Sequence, residues 1–328
     1  MIKKLSITNF KSIKNIDLDC SKINIFIGAP NVGKSNILEA LGFFSWPFYS
    51  PGGQLKNFVR FEQIPNLFYD EEINSPIAIE VDFGSLTLKF VNGSFEGKIE
   101  IHRNENQTVG ASIQGDYNDL NAFSTWGMFP RGLGEIKFYR YSEIKQYSRI
   151  ESDFLLPPNG DNLISVLQTH KDIRAGVNQI FSGYGLRLIL KPQEKRIEVR
   201  KQLEDIDISY PYSLVSDTLQ RMVFYQAAIL SNKNSILIFE EPEAHTFPFY
   251  TKQMAEMIGL DSDNQYFIST HNPYFLGPLI EKTAKDDITV SIVYYQDYQT
   301  KIKKLDSTQL MESMETDIFS NIDRYLNK

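Results

Sequence analysis

The sequence predicts an α/β fold of three layers, with a mixed central sheet and an inserted antiparallel β/α subdomain. An apolar run at residues 23–27 leads into a glycine-rich turn and then a helix-spaced pattern, which is the order of a strand, a phosphate loop and a helix. A second apolar run, at 236–239, ends in acidic residues. Between them, residues 76–103 alternate apolar and polar side chains with period two, as the strands of a half-exposed sheet do.

The bulk composition excludes several classes of protein. Hydrophobic residues make up 42% of the 328 residues and charged residues 23%, which is enough apolar material for a packed core. The net charge of -7 means that any nucleic-acid surface would have to be a local basic patch. The single cysteine, Cys20, excludes an intramolecular disulfide, and no run approaches the ~20 apolar residues of a membrane span. We therefore expect a cytoplasmic protein with no membrane association.

The N-terminal half begins with strand-like alternation. Residues 2–8 and 15–18 predict two strands, and the run at 23–27 predicts a buried parallel strand. Apolar residues at helical spacing from 37 to 44 predict that the glycine turn opens a helix. Residues 104–134 are rich in Gly, Asn, Ser and Asp, which predicts a long surface insertion. Such an insertion is either a variable loop without function or a partner-binding surface.

The rest of the chain alternates shorter elements. Strands are predicted at 136–141, 186–190, 197–199, 236–239, 265–269, 288–294 and near 302, and helices at 161–180, 216–230, 250–258 and 316–326. We expect a single domain over 1–328. Its nucleotide-binding lobe would comprise 1–70 and 210–328, and its inserted lid 71–209.

A complete phosphate-loop motif, G-x-x-x-x-G-K-[ST], follows the first buried strand. It comprises Gly28, Ala29, Pro30, Asn31, Val32, Gly33, Lys34 and Ser35, with Asn36 directly after it. Glycines let backbone N–H groups turn toward phosphate oxygens, and the helix N-terminus favours negative charge. Lys34 would reach the β- and γ-phosphates and Ser35 would ligate Mg²⁺, so ATP and Mg²⁺ are the expected cofactors. The alternative is a chance match in a glycine turn.

The acidic end of the strand at 236–239 has the form of a Walker B segment. Ligands of open parallel sheets lie at the carboxyl ends of the strands. Glu240 is predicted to hold the metal, a position that is more usually Asp, and Glu241 to orient and polarise the attacking water. The alternative is a solvated acidic turn. The next strand ends in Ser269, Thr270 and His271, and a histidine there either faces the same crevice or simply caps a helix.

Taken together, these motifs resemble the OLD-type and RecF-like branch of the ABC ATPases. The similarity lies in Ile7-Thr8-Asn9-Phe10-Lys11-Ser12-Ile13, the run 33–40, the stretch 157–163, the string Glu-Glu-Pro-Glu-Ala-His at 240–245, and Ser-Thr-His-Asn-Pro at 269–273. The resemblance implies a head of the ABC-ATPase type that dimerises around two ATP molecules. It also implies that His271 touches the γ-phosphate and the catalytic water.

Two further residues follow from the resemblance. Ser216 is the best match to a signature segment that would act in trans on the partner's ATP, although the family's glycine is absent. The capping-box spacing of Asp217 and Gln220 explains the same segment without a nucleotide. A glutamine that senses Mg²⁺ should lie after the phosphate loop, where Gln63 is preferred to Gln54.

The resemblance also bears on the biological role. OLD nucleases carry a Toprim nuclease domain after the ATPase core, but only 57 residues follow His271. The sequence therefore suggests an ATPase that dimerises and regulates a separate effector, a nuclease or toxin, in anti-phage defence. One alternative is a RecF-like maintenance ATPase that binds DNA directly, for which the basic residues at 191–201 are weak support because glutamates interleave them. Another is a scaffold that binds ATP and barely hydrolyses it.

Overall fold

The computed structural model describes residues 1–50, 54–104, 107–124 and 134–326. The chain forms three sheets, of six, seven and three strands. The six-stranded central sheet has the order β16-β15-β3-β14-β13-β9. Its strands are β3 Ile23–Ile27, β9 Ile136–Tyr139, β13 Ile236–Glu240, β14 Gln265–Ser269, β15 Ile288–Gln296 and β16 Gln299–Lys304.

The central sheet is mixed, as predicted. β9, β13, β14, β3 and β15 run parallel, and only β16 pairs in the antiparallel sense. β13 and β14 are neighbours in this sheet, with Glu240 paired with Ser269. The carboxyl ends that carry Glu241 and His271 therefore meet at one edge of the sheet, beside the loop that follows β3.

The seven-stranded sheet is antiparallel, with the order β2-β1-β4-β5-β6-β7-β8. Its strands are β1 Lys4–Phe10, β2 Ile13–Asp19, β4 Ile77–Val81, β5 Gly84–Val91, β6 Ser94–Asn104, β7 Gln107–Gly115 and β8 Leu120–Ser124. The surface insertion predicted at 104–134 is thus wrong up to residue 124, because β7 and β8 extend the sheet. The glycines at 110 and 115 pack closely on backbone of neighbouring strands, so composition hid the strands there. Residues 125–133 lie outside the described residues.

Strands inside the predicted lid at 71–209 pair with strands outside it. β1 belongs to the proposed nucleotide lobe by sequence, yet it pairs with β4. Conversely, β9 falls within the predicted lid, yet it pairs with β13 in the central sheet. Position along the chain therefore does not separate the two sheets.

Helices cover the central sheet on both faces. They are α1 Lys34–Tyr49, α2 Leu163–Thr169, α3 Lys171–Ser182, α4 Asp217–Ser231, α5 Pro248–Leu260, α6 Pro273–Lys282, α7 Ser307–Glu315 and α8 Ile322–Leu326. The helix predicted over 161–180 is two helices, because His170 leaves helical geometry between them. The helix predicted over 316–326 is also wrong in its first half, since Thr316 ends α7 in an extended conformation. The third sheet joins β10 Leu186–Lys191, β11 Arg196–Leu203 and β12 Ile206–Pro211.

The core lies on both sides of the central sheet. In β3, Ile23, Ile25 and Ile27 pack on the side of α4, α5 and α6, while Phe26 packs on the side of α1. Both faces of a parallel strand are covered in this arrangement, which explains its continuous apolar sequence. Within the described residues, no helix is long and apolar enough to cross a membrane.

Candidate nucleotide-binding site

The phosphate loop joins β3 to α1 and requires glycine at both ends. Gly28 and Gly33 have φ of 151° and 102°. A Cβ atom on Gly28 would lie 2.1 Å from the Val293 carbonyl oxygen, and one on Gly33 would lie 2.1 Å from the Thr300 hydroxyl. Any other residue would therefore distort the loop, which fits a loop that cradles phosphate oxygens with its backbone.

Lys34 is buried and folds back onto the loop. Its ammonium donates to the carbonyl oxygens of Gly28 at 3.0 Å and Ala29 at 2.7 Å. Burial lowers the pKa of Lys34 to about 8, although Glu241 and Glu240 oppose that shift. A phosphate that replaced these carbonyl partners would restore a full countercharge to the ammonium.

A chain of hydrogen bonds connects the phosphate loop to β16 and to the turn after β1. The Thr300 hydroxyl donates to the Val32 carbonyl at 2.8 Å and lies 2.6 Å from the Ser12 hydroxyl. The Asn36 amide donates to the same Ser12 oxygen at 2.7 Å. Asn36 thus fixes the loop to β16 and to the turn after β1, a role that the sequence did not reveal.

The loop opens into a cavity of about 740 Å³. Its lining includes most of the predicted loop together with Glu241 and His271: Ser12, Pro30, Asn31, Val32, Gly33, Lys34, Ser35, Asn36, Arg60, Glu241, His271 and Tyr295. A cavity of this size accommodates a nucleoside triphosphate. Ser35 lines it at the start of α1, where a hydroxyl can serve a metal bound to phosphate.

Glu241 and His271 contact each other at the edge of this cavity. The Glu241 Oε1 atom lies 3.1 Å from His271 Nε2. The hydrogen bond from His271 lowers the pKa of Glu241, and the charges of His271, Lys34 and Arg60 act in the same direction against burial. An ionised carboxylate held by a histidine is suited to polarise a water molecule.

Glu243 is buried behind this pair. Its Oε1 atom accepts the Thr270 hydroxyl and, at 3.3 Å, the backbone N–H of His271. Its Oε2 atom has no partner within the described residues. Burial raises the pKa of Glu243 to about 7. The carboxyl therefore ties the turn after β13 to the turn after β14.

Glu240 has a different environment from its neighbour. It accepts hydrogen bonds from Arg60 at 2.7 Å and Arg140 at 3.2 Å, one on each carboxylate oxygen. The same two arginines bind the fully buried Glu39, at 2.7 and 3.0 Å, and Lys11 pairs with the other Glu39 oxygen. We refer to these five residues as the arginine–glutamate cluster. Glu240 is not among the residues that line the cavity.

The structure places Ser216 outside the cavity, at the N-cap of α4. Ser216 is exposed, and its side chain makes no capping bond. The capping-box alternative is not what the structure shows, because the Gln220 amide donates to the Val215 carbonyl at 2.8 Å and Asp217 pairs with Arg221. The Thr218 hydroxyl donates to the carbonyl of His245, which links this helix start to the turn after β13.

Gln63, the preferred magnesium-sensing glutamine, is exposed at the start of a 3-10 turn and does not line the cavity. Its backbone N–H donates to Asn66 at 2.8 Å, so a local cap explains the residue. Gln54 likewise does not line the cavity. Arg60, three residues before Gln63, does line it.

The basic residues of the third sheet are largely paired. Lys191 and Arg196 both contact Glu194 and Glu198, and Arg200 lies 3.3 Å from Asp207. The interleaved charges form a surface of internal ion pairs, which offers little net positive potential to a nucleic acid.

Three residues that line the cavity were not among the predicted site residues: Ser12, Arg60 and Tyr295. Arg60 follows no recognisable motif, and its ion pairs with Glu39 and Glu240 position it. Tyr295 lies at the end of β15 and is 51% exposed, so its ring is available for stacking on a base. The one available signal was its position at the carboxyl end of a parallel strand. Among the described residues, no group of three His, Cys, Asp or Glu side chains could hold a metal ion.

The fold and the site define a P-loop nucleotide-binding domain with the fold of an ABC-ATPase head. Residues 1–126 match the AAA ATPase domain family. An ATP/GTP phosphatase of Helicobacter pylori is 20% identical over 331 residues, covering 88% of this chain and 90% of that protein. An uncharacterised protein of Methanocaldococcus jannaschii is 30% identical over 130 residues, covering 34% of this chain and 58% of that protein.

Solved structures confirm the fold at low identity. The Smc head bound to the C-winged helix domain of ScpA has a TM-score of 0.54 and 17% identity, covering 95% of this chain and 99% of that one. An Smc head with an extended coiled coil, bound to the C-terminal domain of ScpA from Pyrococcus furiosus, has a TM-score of 0.55 and 15% identity, covering 96% and 98%. The predicted ABC-head fold is therefore confirmed.

Proposed function

We propose that this chain hydrolyses ATP in a site completed by a second copy of itself, and that the resulting dimerisation regulates a separate effector protein. The observation that carries the proposal is the Glu241–His271 pair at 3.1 Å, facing the cavity that the phosphate loop opens. A base, an orienting group and a phosphate cradle are thereby assembled around one space.

In this mechanism the loop N–H groups and Lys34 hold the phosphates, and the Glu241 carboxylate accepts the proton of the attacking water. His271 fixes the orientation of Glu241 through their hydrogen bond. Magnesium, when bound, would neutralise phosphate charge, and the Ser35 hydroxyl is the donor best placed to hold it. Glu240 would contribute only if it releases one of its arginines.

The case for a second copy rests on Ser216. Its hydroxyl lies at the N-terminus of a 15-residue helix, where anions are favoured, yet it does not line the cavity of its own chain. Exposed apolar side chains lie in the same surface depression, with Leu214 and Phe247 exposed by 71% and 66%. Contiguous exposed apolar surface marks interaction sites. Both features fit a face that closes on the nucleotide of a partner.

The effector is proposed from the resemblance to OLD-type ATPases, which implies an anti-phage role, and the solved Smc heads offer an analogy because they are bound to a separate protein, ScpA. We propose a nuclease or toxin as the effector. Cleavage of DNA by the purified chain carrying an ATP-site substitution would contradict this division of labour. Salt-sensitive, ATP-dependent binding of duplex DNA would instead favour direct DNA maintenance.

The dimerisation step is tested by molecular mass in solution. Wild type, Glu241→Gln and Lys34→Ala would each be measured by light scattering with and without ATP and Mg²⁺. We expect Glu241→Gln to double in mass only with ATP, because binding is retained while hydrolysis is blocked, and Lys34→Ala to remain unchanged. Ser216→Asp, added to Glu241→Gln, should prevent the doubling by placing a negative charge opposite phosphate. A mass that ignores nucleotide in all variants would refute the proposal.

A further inference from the structure

A second cavity, of about 340 Å³, shares Arg140 with the arginine–glutamate cluster. We refer to it as the Arg140 cavity. The residues that argue for a ligand are its cations Lys56, Arg140 and Arg149, its acid Asp161, and neutral donors such as Ser50 and Ser142. It is separate from the nucleotide cavity, because the two have no lining residue in common.

The charge of the Arg140 cavity favours an anion. Three cations and one carboxylate line it. Within the part of the chain that the structure describes, each cation also keeps donors that its hydrogen bonds do not use. Both ion pairs of Arg140 use Nη2, and the pair of Arg149 with Glu151 uses Nε and Nη2. The Lys56 ammonium donates to a backbone carbonyl. Spare N–H groups on guanidinium ions are the usual partners of phosphate.

The uncharged part of the lining adds donors and one acceptor. The hydroxyls of Ser50 and Ser142 belong to this lining and can donate a hydrogen bond to a ligand. Asp161 is half-buried, and burial raises its pKa, although the charge of Arg149 and a hydrogen bond from Asn159 act in the opposite direction. A carboxylate in a cationic cavity would repel a bare phosphate but would accept a hydrogen bond from a hydroxyl or amino group on the same ligand.

We propose that the Arg140 cavity binds a small phosphate ester, with the phosphate on Arg140, Arg149 and Lys56 and a hydroxyl or amino group on Asp161. The volume is at the lower end for ligand sites and suits a group the size of a mononucleotide. The same chemistry is present in a free nucleoside monophosphate and in the 5′-phosphate end of a strand.

Binding at this cavity would influence the nucleotide site through Arg140. A phosphate that draws Arg140 toward the cavity weakens its 3.2 Å contact with Glu240. Glu240 would then be held by Arg60 alone and would be freer to serve the metal. This coupling rests on the proposed ATPase function, whereas binding itself does not.

Binding is tested by calorimetry on the full chain, with the phosphate loop first saturated by a non-hydrolysable ATP analogue and Mg²⁺. The probes are AMP and a short single strand with either a 5′-phosphate or a 5′-hydroxyl. The test variant is Arg149→Gln, which leaves Glu39 and Glu240 fully paired. Arg200→Gln is the control, because that arginine is similarly exposed, 47% against 48%, and is also paired with an acid.

We expect saturable binding that weakens at least about tenfold in Arg149→Gln and is unchanged in Arg200→Gln, since a hydrogen bond to a charged group is lost. Preference for AMP would identify a free ligand, and preference for the 5′-phosphorylated strand over its hydroxyl counterpart would identify a strand end. No saturable binding of either probe at millimolar concentration, or equal binding by both variants, would overturn the proposal. The coupling between the Arg140 cavity and the nucleotide site is tested separately, by measuring ATP turnover with and without AMP.

Discussion

Glu240 and Glu241 are neighbours in sequence but lie in different environments. Glu241 has a positive φ of 43°, lines the nucleotide cavity and has His271 as its partner. Glu240 is the last residue of β13, is only 14% exposed and is held by two arginines. The backbone reversal at Glu241 separates the two side chains.

The comparison shows how one strand end can serve two purposes. The cavity side leaves a carboxylate exposed to the nucleotide, with a partner that keeps it ionised. The cluster side surrounds Glu39, which is completely buried, with cations from three parts of the chain. Arg60 belongs to both regions, since it lines the cavity and binds both cluster glutamates. We expect substitutions on the cavity side to change turnover and those on the cluster side to change stability.

The largest expected effect is on the cavity side. Glu241→Gln should lower ATP turnover roughly 1000-fold, because an amide cannot accept the proton of the attacking water. Affinity for ATP, measured by equilibrium binding, should change little. Glu281→Gln, an exposed substitution on α6, is the matched control and should retain normal turnover. Normal turnover in Glu241→Gln would remove Glu241 from the mechanism.

On the cluster side, Glu39→Gln should lower the free energy of unfolding by about 3 kcal/mol. The amide has no charge, so Lys11 and Arg140, both largely buried, would lose their main countercharge. The measurement is denaturant unfolding monitored by fluorescence, again beside Glu281→Gln. A loss below about 0.5 kcal/mol, the range of ordinary surface substitutions, would show that solvent already compensates these cations.

Glu243, which is buried behind Glu241 and His271, should make stability depend on pH. Its pKa is raised from 4.5 to about 7 in the folded state, so the folded protein binds a proton that the unfolded chain releases. The stability due to the protonated form is complete below pH 4.5 and is lost as pH rises through 7. This loss amounts to roughly 2 kcal/mol between pH 5 and 7. Glu243→Gln should remove that component, which unfolding of both proteins at several pH values would reveal as a flatter profile. Parallel profiles for the two proteins would contradict the raised pKa.

The smallest effect concerns Glu240 and magnesium. Glu240 could bind Mg²⁺ once one of its two ion pairs with arginine is broken. In that case Glu240→Gln should raise the Mg²⁺ concentration for half-maximal turnover by about tenfold. Turnover at saturating Mg²⁺ should recover most of its normal value. An unchanged Mg²⁺ requirement would mean that Glu240 acts only in the arginine–glutamate cluster, unlike Glu241, which acts in the nucleotide cavity.

Much of the fold was predictable because local patterns agree with the tertiary structure. β14 has its predicted bounds, and β3 and β13 were visible as apolar runs because they are covered on both faces. β7 and β8 were missed, since their glycines and polar residues have weak periodicity and gain their order from neighbouring strands. The helix predicted over 316–326 was wrong at its start, because no glycine or proline marks the end of α7 at Thr316.

For the site, the sequence by itself determined the phosphate loop and indicated that Glu241 and His271 follow strands whose carboxyl ends face one crevice. Motif spacing and strand order suffice there, because the chemistry is local to each turn. Only the tertiary structure decided that Glu240 is bound by arginines, that Arg60 and not Gln63 lines the cavity, and that Ser216 does not line it. The environment of Glu240 depends on contacts between residues far apart in sequence, such as Arg60 with Glu240. Charged side chains pair with the opposite charges that the fold brings close to them. Such pairs produce no periodic pattern in the sequence.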